Sequence, residues 1–299
     1  MRLIAIVLFL LWLPAGAQAD ARRIKVDALE YPWSAVGRLN AGGRSYCTAV
    51  LISERHLLTA AHCLWNRIQG AWWPVESLHF VAGYQGGEAP LHALVKSYAV
   101  ADGVVIGPRL SPEMAGADWA VVELAEPLGR QAGWMAVGLP AGTPRGVVGA
   151  LGYRAESPHA MSLEYGCRVL AHESDSRVFW HDCPGARGES GGPVLAFLPD
   201  GPHVLGITSM ITAMEGLHLT GAVDVRVMTD ALMFPKAARI AAAAGIGRSP
   251  GRPPSTGQVS PLPAATLAEL AGAQMAGSQE APSLALLARL LARSADSGP

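Results

Sequence analysis

Hydrophobic positions in this chain come in short runs, not in long helical stripes. Segments 34–39, 47–52, 78–82, 93–100 and 119–124 are rich in Val, Leu and Ile. Clusters of Gly, Pro, Asn and Asp separate them, as in Asn40-Ala41-Gly42-Gly43 and Gly83-Tyr84-Gln85-Gly86-Gly87. Many short strands with turn punctuation predict an all-β sandwich or barrel. Residues 60–64 read as a single helical turn.

Residues 126–145 hold several Gly and Pro residues and no strand signal, so they read as a link between two β units. A second series follows at 147–151, 165–170, 178–181, 193–197, 204–209 and 219–225. Residues 229–244 predict a C-terminal helix, with Thr229 as N-cap and Gly245 past its end. From 246 to 299 the chain is a low-complexity tail. Its Pro/Gly/Ser-rich start reads as disordered linker. Leu284, Leu286, Leu287, Leu290 and Leu291 then form an apolar stripe, read as a marginal helix.

Length and composition add limits. The chain has 299 residues, 50% of them hydrophobic, enough for one large domain or two small ones. A formal net charge of −1 argues for no nucleic-acid partner. Residues 1–19 read as a secretory signal: Arg2, an apolar run over 3–13, and Ala17-Gln18-Ala19 as cleavage site. The run is short for a membrane span. The mature chain is expected to be secreted or periplasmic, with no stable membrane span and a polar leader over 20–30. The sequence is silent on oligomeric state.

Export permits disulfides. Cys47, Cys63, Cys167 and Cys183 allow three pairings. Pairing within each local couple is the economical choice. No C-x-x-C pair exists, and neither a metal nor a cofactor is expected.

The chemistry centres on Gly188-Glu189-Ser190-Gly191-Gly192-Pro193. A serine hydroxyl is a weak nucleophile that needs a base beside it and donors for the developing oxyanion. Glycines allow a tight turn that aims backbone N–H groups. Leu58-Thr59-Ala60-Ala61-His62-Cys63 offers the base. Asp118, heading Trp119-Ala120-Val121-Val122-Glu123-Leu124, offers the orienting carboxylate. Asp102 and Glu123 are other acids in the interval. Gly-x-Ser-x-Gly also describes the nucleophile elbow of α/β-hydrolases. That fold runs Ser, acid, His on a parallel sheet, and the β/α alternation it needs is missing here.

The chain order His, Asp, Ser and these three motifs resemble the trypsin/chymotrypsin-like serine protease family over roughly residues 31–235. The flavour is that of secreted bacterial members related to V8-like glutamyl endopeptidases. The resemblance implies two packed antiparallel six-stranded β-barrels, the first over about 31–125 and the second over about 135–228, in a catalytic domain over 31–245. It implies a serine endopeptidase acting on peptide or protein substrates, with His62, Asp118 and Ser190 catalytic. Gly188 and Ser190 would supply the oxyanion hole, and Pro184, Thr208 and Ser209 would contact substrate. Cys47–Cys63 would be the histidine-loop disulfide. A protease-like binding protein without turnover and a serine esterase are the alternatives.

Several positions depart from the family pattern. Pro184 stands where trypsins have an acid, and Thr208 where glutamyl endopeptidases have a histidine. Met210 and Ile211 replace Trp and Gly. Glu189 replaces Asp, whose partner in trypsins is an α-amino group freed by cleavage after a basic residue. Arg23-Ile24 is the candidate cleavage site here, but Ile24 lies close to Pro32. An enzyme that does not need the Ile24 amine is therefore expected, with Arg187 as a rival partner for Glu189.

Overall fold

The structure is a computed structural model that describes residues 23–107, 112–138, 146–173, 177–214 and 217–230. Twelve strands build two closed antiparallel barrels. The first holds β1 (Val36–Ala41), β2 (Ser45–Leu51), β3 (His56–Thr59), β4 (Leu78–Ala82), β5 (Leu91–Val100) and β6 (Ala120–Leu124). Their order around the barrel is β1-β2-β3-β6-β5-β4, closed by β4 pairing with β1.

The second barrel holds β7 (Val147–Tyr153), β8 (Met161–Glu173), β9 (Val178–His181), β10 (Pro193–Leu198), β11 (Gly201–Met214) and β12 (Leu217–Asp224). Its order is β7-β10-β11-β12-β9-β8, closed by β8 pairing with β7. The short strand Arg23–Lys25 adds to the outer edge of β8. Closure leaves few free strand edges, which otherwise invite pairing with other chains.

Eleven of these strands fall on segments that the hydrophobic pattern marks. The exception is β3, four residues long, where His56-Leu57-Leu58-Thr59 is too short to show alternation. The helical turn expected over 60–64 is a 3-10 helix at Ala61–Leu64. Other elements differ from expectation: the link read over 126–145 holds a short helix at Gly129–Ala132 and a two-residue strand at Ala136–Val137, and the polar leader holds the strand Arg23–Lys25. The C-terminal helix starts at Val225, not at Thr229. Asp224 Oδ1 accepts the Arg226 N–H at 2.9 Å and so caps it, because β12 runs on to Asp224. The remainder of that helix, the signal segment and the tail lie outside the described residues.

Inward-facing side chains fill each barrel: Leu39, Leu51, Leu57, Phe80 and Val122 in the first, Val148, Phe179, Val194 and Leu205 in the second, all at most 1% exposed. Burying each such side chain stabilises by roughly 1.5–3 kcal/mol. Within the first barrel, Arg38 stacks its guanidinium 3.9 Å from the Tyr46 ring centroid and 4.7 Å from that of Tyr84. Packing continues between the barrels, where Arg38 Nη1 donates to the Pro158 carbonyl at 3.2 Å. Tyr46 Oη donates to the Arg154 carbonyl at 3.0 Å, and Tyr153 Oη to that of Tyr84 at 2.9 Å. These bonds fix the cleft in which residues of both barrels meet.

Candidate active site

Strand pairing brings His62 and Asp118 together. In the β3–β6 ladder Thr59 lies opposite Ala120. The chain leaving β3 and the chain entering β6 therefore share one end of the first barrel. His62 sits three residues past Thr59 and Asp118 two before Ala120. The 3-10 turn at Ala61–Leu64 swings His62 onto Asp118, and the Cys47–Cys63 disulfide ties that turn to β2.

Asp118 is fully buried and its oxygens are well served. The His62 backbone N–H donates to Oδ1 at 2.8 Å. His62 Nδ1 lies 2.7 Å from Oδ2, and Ser209 Oγ donates to Oδ2 at 2.5 Å. A buried carboxylate is tolerated only with such partners. An ionised carboxylate only accepts, so the neutral imidazole carries its proton on Nδ1 and leaves Nε2 as an acceptor. Asp102 and Glu123 do not compete: Asp102 is exposed, and Glu123 pairs with Lys96 and Ser97.

Ser190 comes from the second barrel, on the turn before β10. The turn is possible because Gly188 (φ +92°) and Gly191 (φ +75°) adopt left-handed backbone. A Cβ on Gly191 would lie 2.1 Å from Thr59 Oγ1 and 2.8 Å from Ala60 N, so the turn presses directly on the segment leading to His62. The Thr48 N–H donates to the Ser190 carbonyl at 2.9 Å. Thr48 Oγ1 donates to the Gly188 carbonyl at 2.8 Å. Cys63 Sγ lies 3.8 Å from Ser190 O. Among the described residues, the backbone N–H groups of Gly188 and Ser190 donate to no partner, whereas their neighbours' do: Glu189 to Ala186, Gly191 to Thr208 and Gly192 to Glu189.

The expected substrate residues line the same turn. Thr208 exchanges backbone hydrogen bonds with it, its N–H donating to Gly192 O at 2.9 Å and its carbonyl accepting from Gly191 at 2.7 Å. Ser209 directs its hydroxyl to Asp118, a contact that local sequence does not signal. Pro184 offers its carbonyl to Arg23 at 3.0 Å and to Arg154 at 3.3 Å. Next to it, a Cβ on Gly185 would lie 2.4 Å from Ile211 Cγ2, so Ile211 leans across this wall. Beside His62, a groove of about 510 Å3 is lined by Trp65, Ile68, Trp73 and the Cys47–Cys63 disulfide, with Arg44 and Arg67 at its edge.

Glu189 is the second buried carboxylate. Burial pushes its pKa up, against the pull of Arg23 and Arg154. Its partners are Arg23 Nη1 at 3.0 Å, the Ala186 N–H at 2.7 Å and, more distantly, Arg154 Nη1 at 3.8 Å. The expected rival partner Arg187 is exposed and meets the segment after Arg154 only through its carbonyl, which accepts from Ala155 N at 2.7 Å. Arg187 stands exposed on the turn at 187–188, whereas strand pairing brings Arg23 beside Glu189. In the sequence Arg23 reads only as a cleavage point, and nothing marks Arg154 or Thr48.

The two six-stranded barrels define the class, a double-barrel serine protease. The family model described as Trypsin matches residues 23–231, and the chain belongs to that family. It is a serine-type endopeptidase, a hydrolase of peptide or protein substrates. No curated protein sequence matches it significantly. Among solved structures, "Structure of Glu endopeptidase in complex with MPD" is similar at TM-score 0.57 and 17% identity, covering 70% of this chain and 94% of that one. A protease, Anisep from Arthrobacter nicotinovorans, is similar at TM-score 0.54 and 16% identity, covering 68% and 93%. Both likenesses concern the fold. The two disulfides are Cys47–Cys63 and Cys167–Cys183, the local pairs. No helix among the described residues is long and apolar enough to cross a membrane.

Proposed function

We propose that the chain is a secreted endopeptidase that cleaves peptide bonds through His62, Asp118 and Ser190 by way of an acyl-enzyme. The carrying observation is the 2.7 Å contact of His62 Nδ1 with the buried Asp118 carboxylate. It leaves Nε2 as the basic nitrogen that would serve Ser190. Ser190 Oγ attacks the scissile carbonyl while Nε2 takes its proton. Negative charge gathers on the carbonyl oxygen, and the free N–H groups of Gly188 and Ser190 are the donors for it. The imidazolium, steadied by Asp118, passes the proton to the leaving amine. Water then adds to the acyl carbon by the same route, and Ser190 recovers its proton.

Catalytic residues from 31–245 would thus be exported by the signal over 1–19, with the tail over 246–299 outside the catalytic unit. Two disulfides suit an oxidising compartment. The substrate wall formed by Pro184, Gly185, Thr208 and Ile211 carries no charge, so an uncharged side chain is the preferred occupant.

The test is a fluorophosphonate probe with a peptide-library digest. Wild type should be phosphonylated on Ser190 and cleave peptides. Ser190→Ala should do neither while keeping its fold, and His62→Ala should label far more slowly. Cleavage by Ser190→Ala at the wild-type rate would refute this mechanism, and a wild type that hydrolyses esters but no peptide would refute the peptidase reading.

A further inference from the structure

We propose that Arg23 is a positioning residue for the reaction above, holding the nucleophile turn in its working shape through Glu189 while the Arg23–Ile24 bond is intact. The inference rests on the serine endopeptidase reading and goes beyond it in naming what arms the site.

The Arg23–Lys25 strand lies antiparallel on β8, with Arg23 opposite Glu164 and Lys25 opposite Ser162. The Arg23 side chain, only 17% exposed, turns from this strand under the turn that carries Ser190. Its guanidinium meets four groups at once: Glu189 Oε1, Ser162 Oγ and Pro184 O at 3.0 Å each, and Glu164 Oε2 at 2.9 Å. A planar fork of donors suits this geometry, and a point charge does not. Arg23 pairs with two acids, Glu164 and Glu189, while Arg154 pairs with Glu156 at 3.2 Å and lies 3.8 Å from Glu189.

What Arg23 grips decides its effect. Glu189 lies between the two residues whose N–H groups are unused, Gly188 and Ser190. Its other carboxylate oxygen takes the Ala186 N–H. Arg23 also holds the Pro184 carbonyl, at the start of the same loop. One side chain thereby clamps both ends of residues 184–189. Without it Glu189 keeps only Arg154, at 3.8 Å, as a cationic partner. A carboxylate buried on such terms takes up a proton or swings to water. Either change turns the peptide planes on which the Gly188 and Ser190 donors depend. Cutting after Arg23 would sever the residue from the strand that aims it. The intact amino-terminal strand is the arming element, and a new amine at Ile24 is not.

The experiment compares kcat, KM and fluorophosphonate labelling in the secreted wild type, Arg23→Gln, Arg23→Lys, Glu189→Gln and the Arg23→Gln/Glu189→Gln pair. Near-UV circular dichroism checks each fold. Arg23→Gln should lower kcat and labelling by up to roughly 100- to 1000-fold, the scale of a lost oxyanion donor, with KM little changed. Arg23→Lys should recover part of this. In the Glu189→Gln background the same change should matter less than about threefold, because the two residues act as one coupled unit. Equal losses in both backgrounds would mean that Arg23 only supports the fold through Glu164, and would overturn the proposal. So would wild-type kinetics in Arg23→Gln. A chain made to begin at Ile24 serves if Arg23→Gln does not fold. It should be inactive, and activity equal to or above wild type would overturn the proposal. A wild type that neither labels nor cleaves would instead overturn the endopeptidase reading beneath it.

Discussion

The backbone N–H of Thr48, on β2 of the first barrel, donates to the carbonyl of Ser190 in the second barrel at 2.9 Å. The same residue's hydroxyl donates to the Gly188 carbonyl at 2.8 Å and accepts from the Tyr153 N–H at 3.1 Å. A single threonine therefore locks the nucleophile turn to the barrel that carries His62. Thr48→Val keeps the shape and removes the hydroxyl, leaving two inward-facing backbone groups without partners. Each such loss costs about 1–3 kcal/mol. Urea unfolding should show the lower stability, and kcat should fall with it. Thr48→Ser should keep both bonds, and a Val variant as stable as wild type would contradict the account.

Ser209 shares Asp118 with His62. Its 2.5 Å bond to Oδ2 is a bond to a charged group, a kind that contributes about 1.5–3 kcal/mol. Ser209→Ala should lower kcat by roughly 10- to 100-fold with little effect on KM. A rise in KM at constant kcat would place the hydroxyl on the substrate side instead.

His181 brings a pH dependence of stability. The ring is wholly buried, and burial lowers its pKa from the usual 6.5 to about 3. The unfolded chain therefore binds a proton that the folded one refuses. Stability attached to neutral His181 is full above pH 6.5 and is lost as pH falls towards about 3. The slope is at most about 1.4 kcal/mol per pH unit. Denaturant unfolding of wild type and His181→Gln between pH 7 and 4 checks this, with the variant showing the flatter dependence. Parallel curves would exclude His181 as the source.

Ile211 closes on Gly185, whose added Cβ would lie 2.4 Å from Ile211 Cγ2. Ile211→Ala removes this obstruction without touching the catalytic residues. A peptide-library profile should shift towards larger uncharged side chains at the scissile bond, by roughly 10-fold or more in kcat/KM. An unchanged profile would show that the wall lies elsewhere.

Much of this was legible in the chain. Eleven strands lie where short apolar runs meet Gly and Pro punctuation, because a strand's burial is recorded in its own residues. The single turn at Ala61–Leu64 was legible for the same reason. β3 was not, since four residues carry too little alternation. Nor was the start of the last helix, where the pairing of β12 with β11 extends to Asp224 and moves the cap there from Thr229.

The residue types proposed for the site, His62, Asp118 and Ser190, belong to local motifs and are legible there together with the all-β class, whereas the choice among three cysteine pairings fell to the structure. Tertiary structure alone decided who serves the site. Ser209 reaches Asp118 across 91 positions, Thr48 reaches Gly188 across 140 and Arg23 reaches Glu189 across 166. None of these contacts is signalled by the local context of the residue that makes it. Arg187, nearest in sequence to Glu189, was the natural candidate and points to solvent. A buried carboxylate takes the cation that strand pairing brings beside it, and chain distance has no part in that choice.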